Sequence, residues 1–488
     1  MSVTVRSLLP FAEPTYVQDL EGLYEPWAAA GAPAPEMLVL NDAVAVELGV
    51  DPGALRGRDG IDLLLGTGAA EGLPTVAQGY AGHQFGGWSP RLGDGRALLL
   101  GEILDVHGRR RDLHLKGSGP TPFARAGDGR AAVGPMLREH LMGEAMHALG
   151  IPTSRALAVV ATGERVRRET LLPGAVLVRV AASHLRVGTF QYVAATLRNR
   201  DLLRRLTDYA IARHHPAAAA AEVPAVALLD AVAAAQADLV ARWMLVGFVH
   251  GVMNTDNMTI SGETLDYGPC AFIDAYDPET VFSSIDYGGR YAYGAQAQIA
   301  QWNLARLAES LVPLIDPADQ QDVVAALVSI IEAFPHRFLA MWRDGMQAKL
   351  GLPPGPAEDE SIVEDLLSLL REDATDWTSA FRALARVARG DAAALGAVVA
   401  TPERFAGWAS RWMALAPDPI GMDRVNPLYI PRNHLVEDAL TQATLGNLAP
   451  YQRLLDAVTR PFDDRPGLET YAAPAPPGYG AHVTYCGT

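Results

Sequence analysis

The hydrophobic pattern changes period partway along the chain, and that change limits the fold to one joining a sheet to a body of helices. From about Gly86 to Val180 short apolar runs are separated by turn signals rich in Gly and Arg, the texture of a sheet with a helix or two. From about Ala194 onward apolar residues recur at helical spacing, through Val223 to Leu245, Gln298 to Pro313, Asp319 to Glu332 and Ser361 to Leu370. At 488 residues the chain exceeds what one hydrophobic core usually serves. The expectation is an α+β molecule in two units, residues 1–180 and a mainly helical 181–488, with a ligand cleft between them.

Hydrophobic residues at 49% and charged residues at 20% are ordinary globular composition. A formal charge of -16 repels a nucleic-acid backbone, so nucleic acid is not an expected partner. It leaves nucleotides open, because a local pocket of Arg and Lys binds phosphate inside an acidic protein. Two cysteines, Cys270 and Cys486, make neither a disulfide framework nor a zinc cluster and suit a reducing compartment. The opening MSVTVRSLLPFAEP lacks a long apolar run, and no stretch reads as the roughly 20 apolar residues of a membrane span. The chain is therefore expected in the cytoplasm, away from membranes. The alanine run between His215 and Glu222 reads as a loop or helix end. The tail from Tyr471, rich in Pro, Ala and Gly, reads as flexible or laid over the surface.

Chemistry concentrates in two regions. In the first, the glycine turn Arg91-Leu-Gly-Asp-Gly-Arg96 runs into an apolar strand, and Gly93 and Gly95 let backbone amides approach an anion. The next strand, Asp112-Leu-His-Leu-Lys116, alternates, which puts Leu113 and Leu115 on one face and His114 and Lys116 on the other. Lys116 at that strand's end points away from the core, where a kinase-like enzyme holds phosphates; Arg109 to Arg111 read as an exposed hairpin tip. A second glycine loop, from Gly117 through Asp128 and Gly129 to Arg130, opens a helix over Ala132 to Leu149. That helix carries Glu139 and Glu144, either of which can pair with Lys116. A strand ending at Arg179 and a further Arg186 supply guanidinium groups able to grip phosphate bidentately.

The second region is His250-Gly-Val-Met-Asn-Thr-Asp256-Asn257, followed by Met258 to Leu265 and Asp266-Tyr-Gly. An apolar helix is expected to end at His250, and a hairpin turning at Ser261-Gly262 sets Asn257 across from Asp266. Two facing oxygen ligands are what Mg²⁺ bridging a triphosphate requires. Protein kinases use a loop Asn and the Asp of Asp-Phe-Gly in these roles. Here Val252 stands where a kinase loop has its catalytic Asp, which leaves Asp256 as the carboxylate available to accept a proton.

These motifs resemble the selenoprotein O family, a branch of pseudokinases. The resemblance rests on Leu115-Lys-Gly-Ser-Gly119, Gly129-Arg-Ala through Arg138-Glu139, and Glu144 through Thr153. His250 through Met258, Asp266-Tyr-Gly-Pro269 and Trp302-Asn-Leu-Ala-Arg-Leu-Ala308 extend it over most of the chain. It implies a protein-kinase-like bilobal fold, an N-lobe antiparallel sheet with a helix and a large, mainly helical C-lobe. The implied activity is AMPylation: ATP lies flipped, so that its α-phosphate faces the hydroxyl of a protein substrate, the enzyme itself included. The resemblance makes Gly93, Gly95, Arg96, Lys116, Asp128, Gly129, Arg179 and Arg186 nucleotide contacts and Glu139 the partner of Lys116. It makes Asn257 and Asp266 the ligands of Mg²⁺, with Mn²⁺ as the alternate ion, and Asp256 the base. Eukaryotic members end in a selenocysteine tail where this chain has Cys486. Some members close a disulfide between tail and activation segment, for which Cys270 and Cys486 are the available pair, against a simpler reading of two independent thiols.

A phosphotransferase of the same fold, releasing ADP, is the first alternative, and the missing carboxylate at Val252 counts against it. A nucleotide-binding module without catalysis is the second, and it leaves Asp256, Asn257 and Asp266 without a purpose.

Overall fold

A computed structural model of the protein describes residues 8–68, 73–316, 318–355, 359 and 361–485. Its strands are β1 (Tyr24–Pro26), β2 (Glu36–Leu40), β3 (Val76–Gln78), β4 (Gly82–Gln84), β5 (Gly87–Ser89), β6 (Ala97–Leu104), β7 (Arg110–Lys116), β8 (Arg155–Arg167), β9 (Leu171–Ala181), β10 (Phe248–Val249) and β11 (Ala271–Phe272). Seven of them form one sheet in the order β1-β3-β6-β7-β9-β8-β2, antiparallel at every step. The molecule is mixed α and β, with helices dominating after β9.

The alternation along β7 decides what each face of the sheet meets. Leu113 and Leu115, with Val176 and Val178 of β9, are buried in a cluster with Val44, Leu55, Leu63 and Leu64 from three short N-terminal helices. His114 and Lys116 turn to the opposite face, beneath the helix Val133–Ala148. That helix is interior on nearly all sides, from Val133 to Met146, and Gly150 in the left-handed region (φ 75°) ends it. Its core continues without a break into Pro224–Leu245 and Gln296–Leu311, while Trp377, Phe381, Trp408 and Trp412 build a separate cluster among the later helices.

Four differences from the sequence reading have physical causes. The helix expected over Asp319 to Glu332 runs from Gln320 to Lys349 straight through Pro335. Proline at that position blocks the bond to the carbonyl four residues earlier, and Gln301 fills the gap by donating its Nε2 to the Ile331 oxygen at 2.9 Å. The helix expected to end at His250 stops at Leu245, and β10 pairs with β11 to carry the chain into the loop that holds Asp256 and Asn257. Arg109, Arg110 and Arg111 are not a bare hairpin tip, because Asp105, Glu47 and Glu102 pair with them. Two helices, Pro224–Leu245 and Gln320–Lys349, are long and apolar enough by length and composition to cross a membrane, against the expectation of none. Alanine and valine lift their mean hydropathy to 1.5 and 1.6 despite scattered charges. The first is a core helix whose buried Gln236 donates to the Thr259 carbonyl oxygen at 2.8 Å.

Glu102 of β6 ties the N-terminal segment and the helix Arg200–His214 to the sheet. Its carboxylate accepts from Thr15 Oγ1 (2.7 Å), the Tyr16 amide (2.8 Å), Arg110 (3.1 Å) and Arg213 (2.9 Å). Removing one partner of a buried charge network leaves the others uncompensated, at a cost of about 3–5 kcal/mol. Glu102→Ala is accordingly expected to lower the urea midpoint of unfolding sharply; a midpoint equal to the parent's would show that the latch contributes nothing.

Candidate active site

The site assembles around Glu139, in the middle of the Val133–Ala148 helix. Its Oε2 accepts from Lys116 Nζ at 2.7 Å and its Oε1 from Arg179 Nε at 2.6 Å. Lys116 also bonds to the Asp266 carboxylate, and Arg179 Nη2 lies 3.6 Å from the same oxygen. Sheet register makes this convergence possible: His114 of β7 pairs with Arg179 of β9, so Arg179 emerges beside Lys116 on the helix-facing side. Lys116, Glu139 and Arg179 are all buried. Burial opposes the charge on Glu139, and the Arg179 and Lys116 cations outweigh it, holding the carboxyl below its ordinary value. Asp266 is likewise desolvated, and Lys116, then Arg179, then Arg96, pull its carboxyl well below the usual range. The two glutamates that spacing alone left open are thus separated. Glu139 meets Lys116, while Glu144 forms a two-pronged pair with Arg155 at 2.6 and 2.7 Å.

A cavity of about 490 Å³ opens beside this cluster. Arg96, Lys116, Glu139, Asn257 and Asp266 line it, as does Val252. Asn257 donates its Nδ2 to the Val252 carbonyl oxygen at 3.1 Å, which orients the amide and leaves Oδ1 as the end not used in that bond. The predicted hairpin is one residue out of register. Met258 bridges Thr264, so Asn257 faces Leu265, and Asp266 reaches the cavity through a left-handed backbone (φ 68°). His250 holds the start of that step, its Nε2 3.0 Å from the Leu265 oxygen, and Arg138 donates to the Gly268 and Cys270 carbonyls beyond it.

The remaining predicted residues do not line this cavity. Gly93 and Gly95 are held against the second glycine loop: a Cβ on Gly93 would meet the Phe123 ring at 2.3 Å. Gly129 is in the left-handed region (φ 68°), and Asp128 caps the Arg130 amide and pairs with Arg168 at 2.8 Å. Arg186 is buried, its guanidinium 4.3 Å above the Tyr80 ring and 4.0 Å from Asp94. Asp94, itself desolvated, is held at about 2 by His114 and Arg186.

Asp256 lies behind β4, where Gln84 Nε2 donates to its Oδ2 at 3.2 Å, and burial pushes its carboxyl up to about 6. Sequence reading missed Tyr80, Gln84 and Asp94. The glycine-flanked run Gly79-Tyr-Ala-Gly-His-Gln-Phe-Gly-Gly-Trp88 was the available signal for the first two. It also missed Leu440, Thr441 and Thr444 of the helix Asn433–Thr444, and Val483 to Tyr485 of the tail, all of which line the cavity.

The tail is laid on the body as far as it is described. Thr484 exchanges backbone bonds with Phe282 and Ser284, and its Oγ1 donates to the Pro269 oxygen at 2.8 Å. Cys270 is a buried free thiol, pushed up to about 11 by burial, and Cys486 lies outside the described residues. Among the described residues no group of three or more His, Cys, Asp or Glu side chains converges on a metal position.

Comparison with known proteins adds an independent line. The family described as protein adenylyltransferase SelO matches residues 8–459. The protein nucleotidyltransferase YdiU of Mycolicibacterium smegmatis is 61% identical over 479 residues, spanning 97% of both chains. Proteins of the same name from Pseudarthrobacter chlorophenolicus and Cereibacter sphaeroides are 59% and 57% identical, each over 97% of this chain and 97% and 98% of their own.

Glu139→Gln keeps the shape of the central carboxylate and removes its charge. Because Lys116 and Arg179 both depend on that charge for position, ATP affinity is expected to fall at least about tenfold, the scale of ~1.4 kcal/mol for one charge-assisted bond. Calorimetric titration with Mg²⁺ and ATP checks this; parent affinity would show that neither cation meets the nucleotide.

Proposed function

The chain belongs to the protein adenylyltransferase SelO family, and on that premise we propose that it transfers AMP from ATP to hydroxyl side chains of proteins, releasing pyrophosphate. The observation that carries the reading is the meeting of Lys116, Glu139, Asp266 and Asn257 at one cavity, with Arg179 bonded into the same cluster. A strand lysine paired to a helix glutamate, next to an Asn and an Asp of a loop after the sheet, is the constellation of kinase-like phosphate chemistry. It supports a kinase-like division into a sheet lobe, residues 1–180, and a helical lobe, 181–488.

In this reading Lys116, Arg179, Arg186 and Arg96 hold phosphate oxygens as charged donors. Gly93, Gly95 and Gly129 shape the two loops beside them, and Asp128 braces the second by its pair with Arg168. Asn257 Oδ1 and the Asp266 carboxylate are hard oxygen donors on one cavity, which fits Mg²⁺, or Mn²⁺ in its place, better than a thiophilic metal. Such an ion, when bound, would supply Lewis-acid neutralisation of the charge developing on the leaving group.

Asp256 is the base. It takes the proton of the acceptor Ser, Thr or Tyr hydroxyl as the freed oxygen bonds to the α-phosphorus; the bond from that phosphorus to the bridging oxygen breaks, and pyrophosphate departs. Val252 on the cavity wall, where a phosphotransferase needs a carboxylate, favours this chemistry over γ-phosphoryl transfer. Partners are protein substrates, the enzyme itself included, met in the cytoplasm. Nucleic acid and membrane surfaces, both anionic, are disfavoured by a charge of -16.

Incubation with Mg²⁺ and ATP labelled at the α- or γ-phosphate tests the reaction. Acid-stable protein label is expected from the α position alone; label from γ would indicate a kinase, and label from neither would leave a binding module. Asp256→Ala is expected to reduce transfer by about 10²-fold or more, the usual scale for a general base, while ATP affinity stays within about threefold. Transfer at the parent rate would remove Asp256 from the mechanism.

A further inference from the structure

The hairpin β4–β5 makes a side-by-side fit to the loop that carries Asp256, residue against residue. The His83 amide donates to Thr255 Oγ1 at 2.7 Å, Gln84 Nε2 to Asp256 Oδ2 at 3.2 Å, and the Phe85 amide to Asn254 Oδ1 at 3.0 Å. Three consecutive hairpin residues thus engage three consecutive loop residues. The hairpin turns through Phe85 (φ 51°) and Gly86 (φ 82°), the two-residue left-handed turn that suits strand twist. A phenylalanine there is strained, and the strain is held by a second bond from its amide to Tyr291 Oη (3.1 Å) and by ring contact with Tyr291 at 5.0 Å. Two glycines allow the approach. A Cβ on Gly82 would lie 2.7 Å from Asp256 Oδ1, and one on Gly188 would meet the Ala81 oxygen at 2.2 Å and Asp256 Cα at 3.3 Å.

Asp256 is left with unequal oxygens. Oδ2 accepts from Gln84, while Oδ1 is buried without a hydrogen-bond partner. A buried carboxylate oxygen with unfilled acceptor capacity is costly and calls for a reason. Gln84 is the one side chain bonded to this carboxylate among the described residues, and its own position is fixed by the flanking backbone bonds at His83 and Phe85.

We propose that Gln84 is a positioning residue for the transfer reaction: its amide holds Oδ2 and so fixes the rotamer in which the Asp256 carboxylate takes the proton of the acceptor hydroxyl. The proposal rests on the reading of Asp256 as base. The acceptor O–H bond breaks toward the Asp256 carboxylate, the new O–P bond forms at the α-phosphorus, and the electron pair of the broken P–O bond leaves with pyrophosphate. Gln84 itself touches neither nucleotide nor acceptor.

The full-length protein is assayed with α-labelled ATP and a protein acceptor for kcat and KM, and by calorimetry for ATP binding. Gln84→Leu, which keeps the size and removes the donor, is expected to lower kcat about 10- to 100-fold, as loss of a partner that orients an active group does, with KM for ATP and ATP affinity within about twofold. Gln84→Glu, which keeps the shape but sets a second carboxylate against the first, is expected to behave alike and serves if the leucine variant fails to fold. Combined with Asp256→Asn, Gln84→Leu is expected to cost nothing further, because a residue acting through Asp256 has nothing left to position. Parent kcat in both Gln84 variants, a rise in KM alone, or a double variant slower by the product of the two losses would overturn the proposal. Parent-rate transfer by Asp256→Asn alone would instead overturn the base assignment and this inference with it, so the two failures are told apart.

Discussion

The structure is organised by one exchange of charge: two buried cations, Lys116 and Arg179, against the buried carboxylate of Glu139 and the partly exposed carboxylate of Asp266. Each of the three buried groups alone would be costly in a low-dielectric interior, and they are tolerable only while their partners keep their places. Four distant segments, β7, the Val133–Ala148 helix, β9 and the segment after the catalytic loop, are therefore pinned to a common point. Under the proposed reading the cluster also explains how the site accepts its ligand. Asp266 would be a ligand of the divalent cation when one is bound, and Glu139, which bonds both Lys116 and Arg179, would keep those two cations in place.

The helix that holds Glu139 acts as a strut rather than an amphipathic cover. Arg138 reaches the carbonyls of Gly268 and Cys270, His140 meets Tyr451 Oη at 2.7 Å, and Glu144 binds Arg155, so successive turns serve different parts of the molecule. The arrangement also couples the late helices to the cavity. Tyr451 packs under the strut, and Glu437, on the neighbouring helix, lies 3.4 Å from Arg138.

Much of this was legible in the sequence where pattern and environment coincide. Alternation in Asp112 to Lys116 placed the two leucines and the lysine on the faces where they lie, and the turn chemistry around Gly93, Gly129 and Gly150 matches positive φ values. The candidate ligands Asn257 and Asp266 do share a cavity wall. Legibility failed where local pattern carries no information. A helix buried on every side has no polar stripe, so spacing could not choose Glu139 over Glu144. The symmetric hairpin was off by one because the Met258–Thr264 bridge centres the turn on Ser261 rather than between Ser261 and Gly262, a shift that no periodicity reveals. The helix expected over Asp319 to Glu332 stopped short of Pro335 because the compensating donor, Gln301, sits on another helix. Lys116 read as a strand-end residue pointing away from the core, and its burial was not visible because it depends on partners 23 and 150 positions away.

The segment from Met253 to Asn257 shows why such a site escapes a search for regular elements. It contains one short 3₁₀ turn, yet its residues are bonded to β4, to Val252, to Tyr291 and to the helix Gln296–Leu311, whose Asn303 donates to the Met253 oxygen at 2.9 Å. Secondary structure would satisfy its backbone at the expense of aiming every side chain by a fixed period. An irregular loop fixed by side chain-to-backbone bonds escapes that constraint, so adjacent residues face different ways: Asp256 toward the hairpin, Asn257 toward the cavity. What rigidity the loop has is borrowed from the elements around it, and the glycines at 82 and 188 are the places where those elements come close enough to lend it.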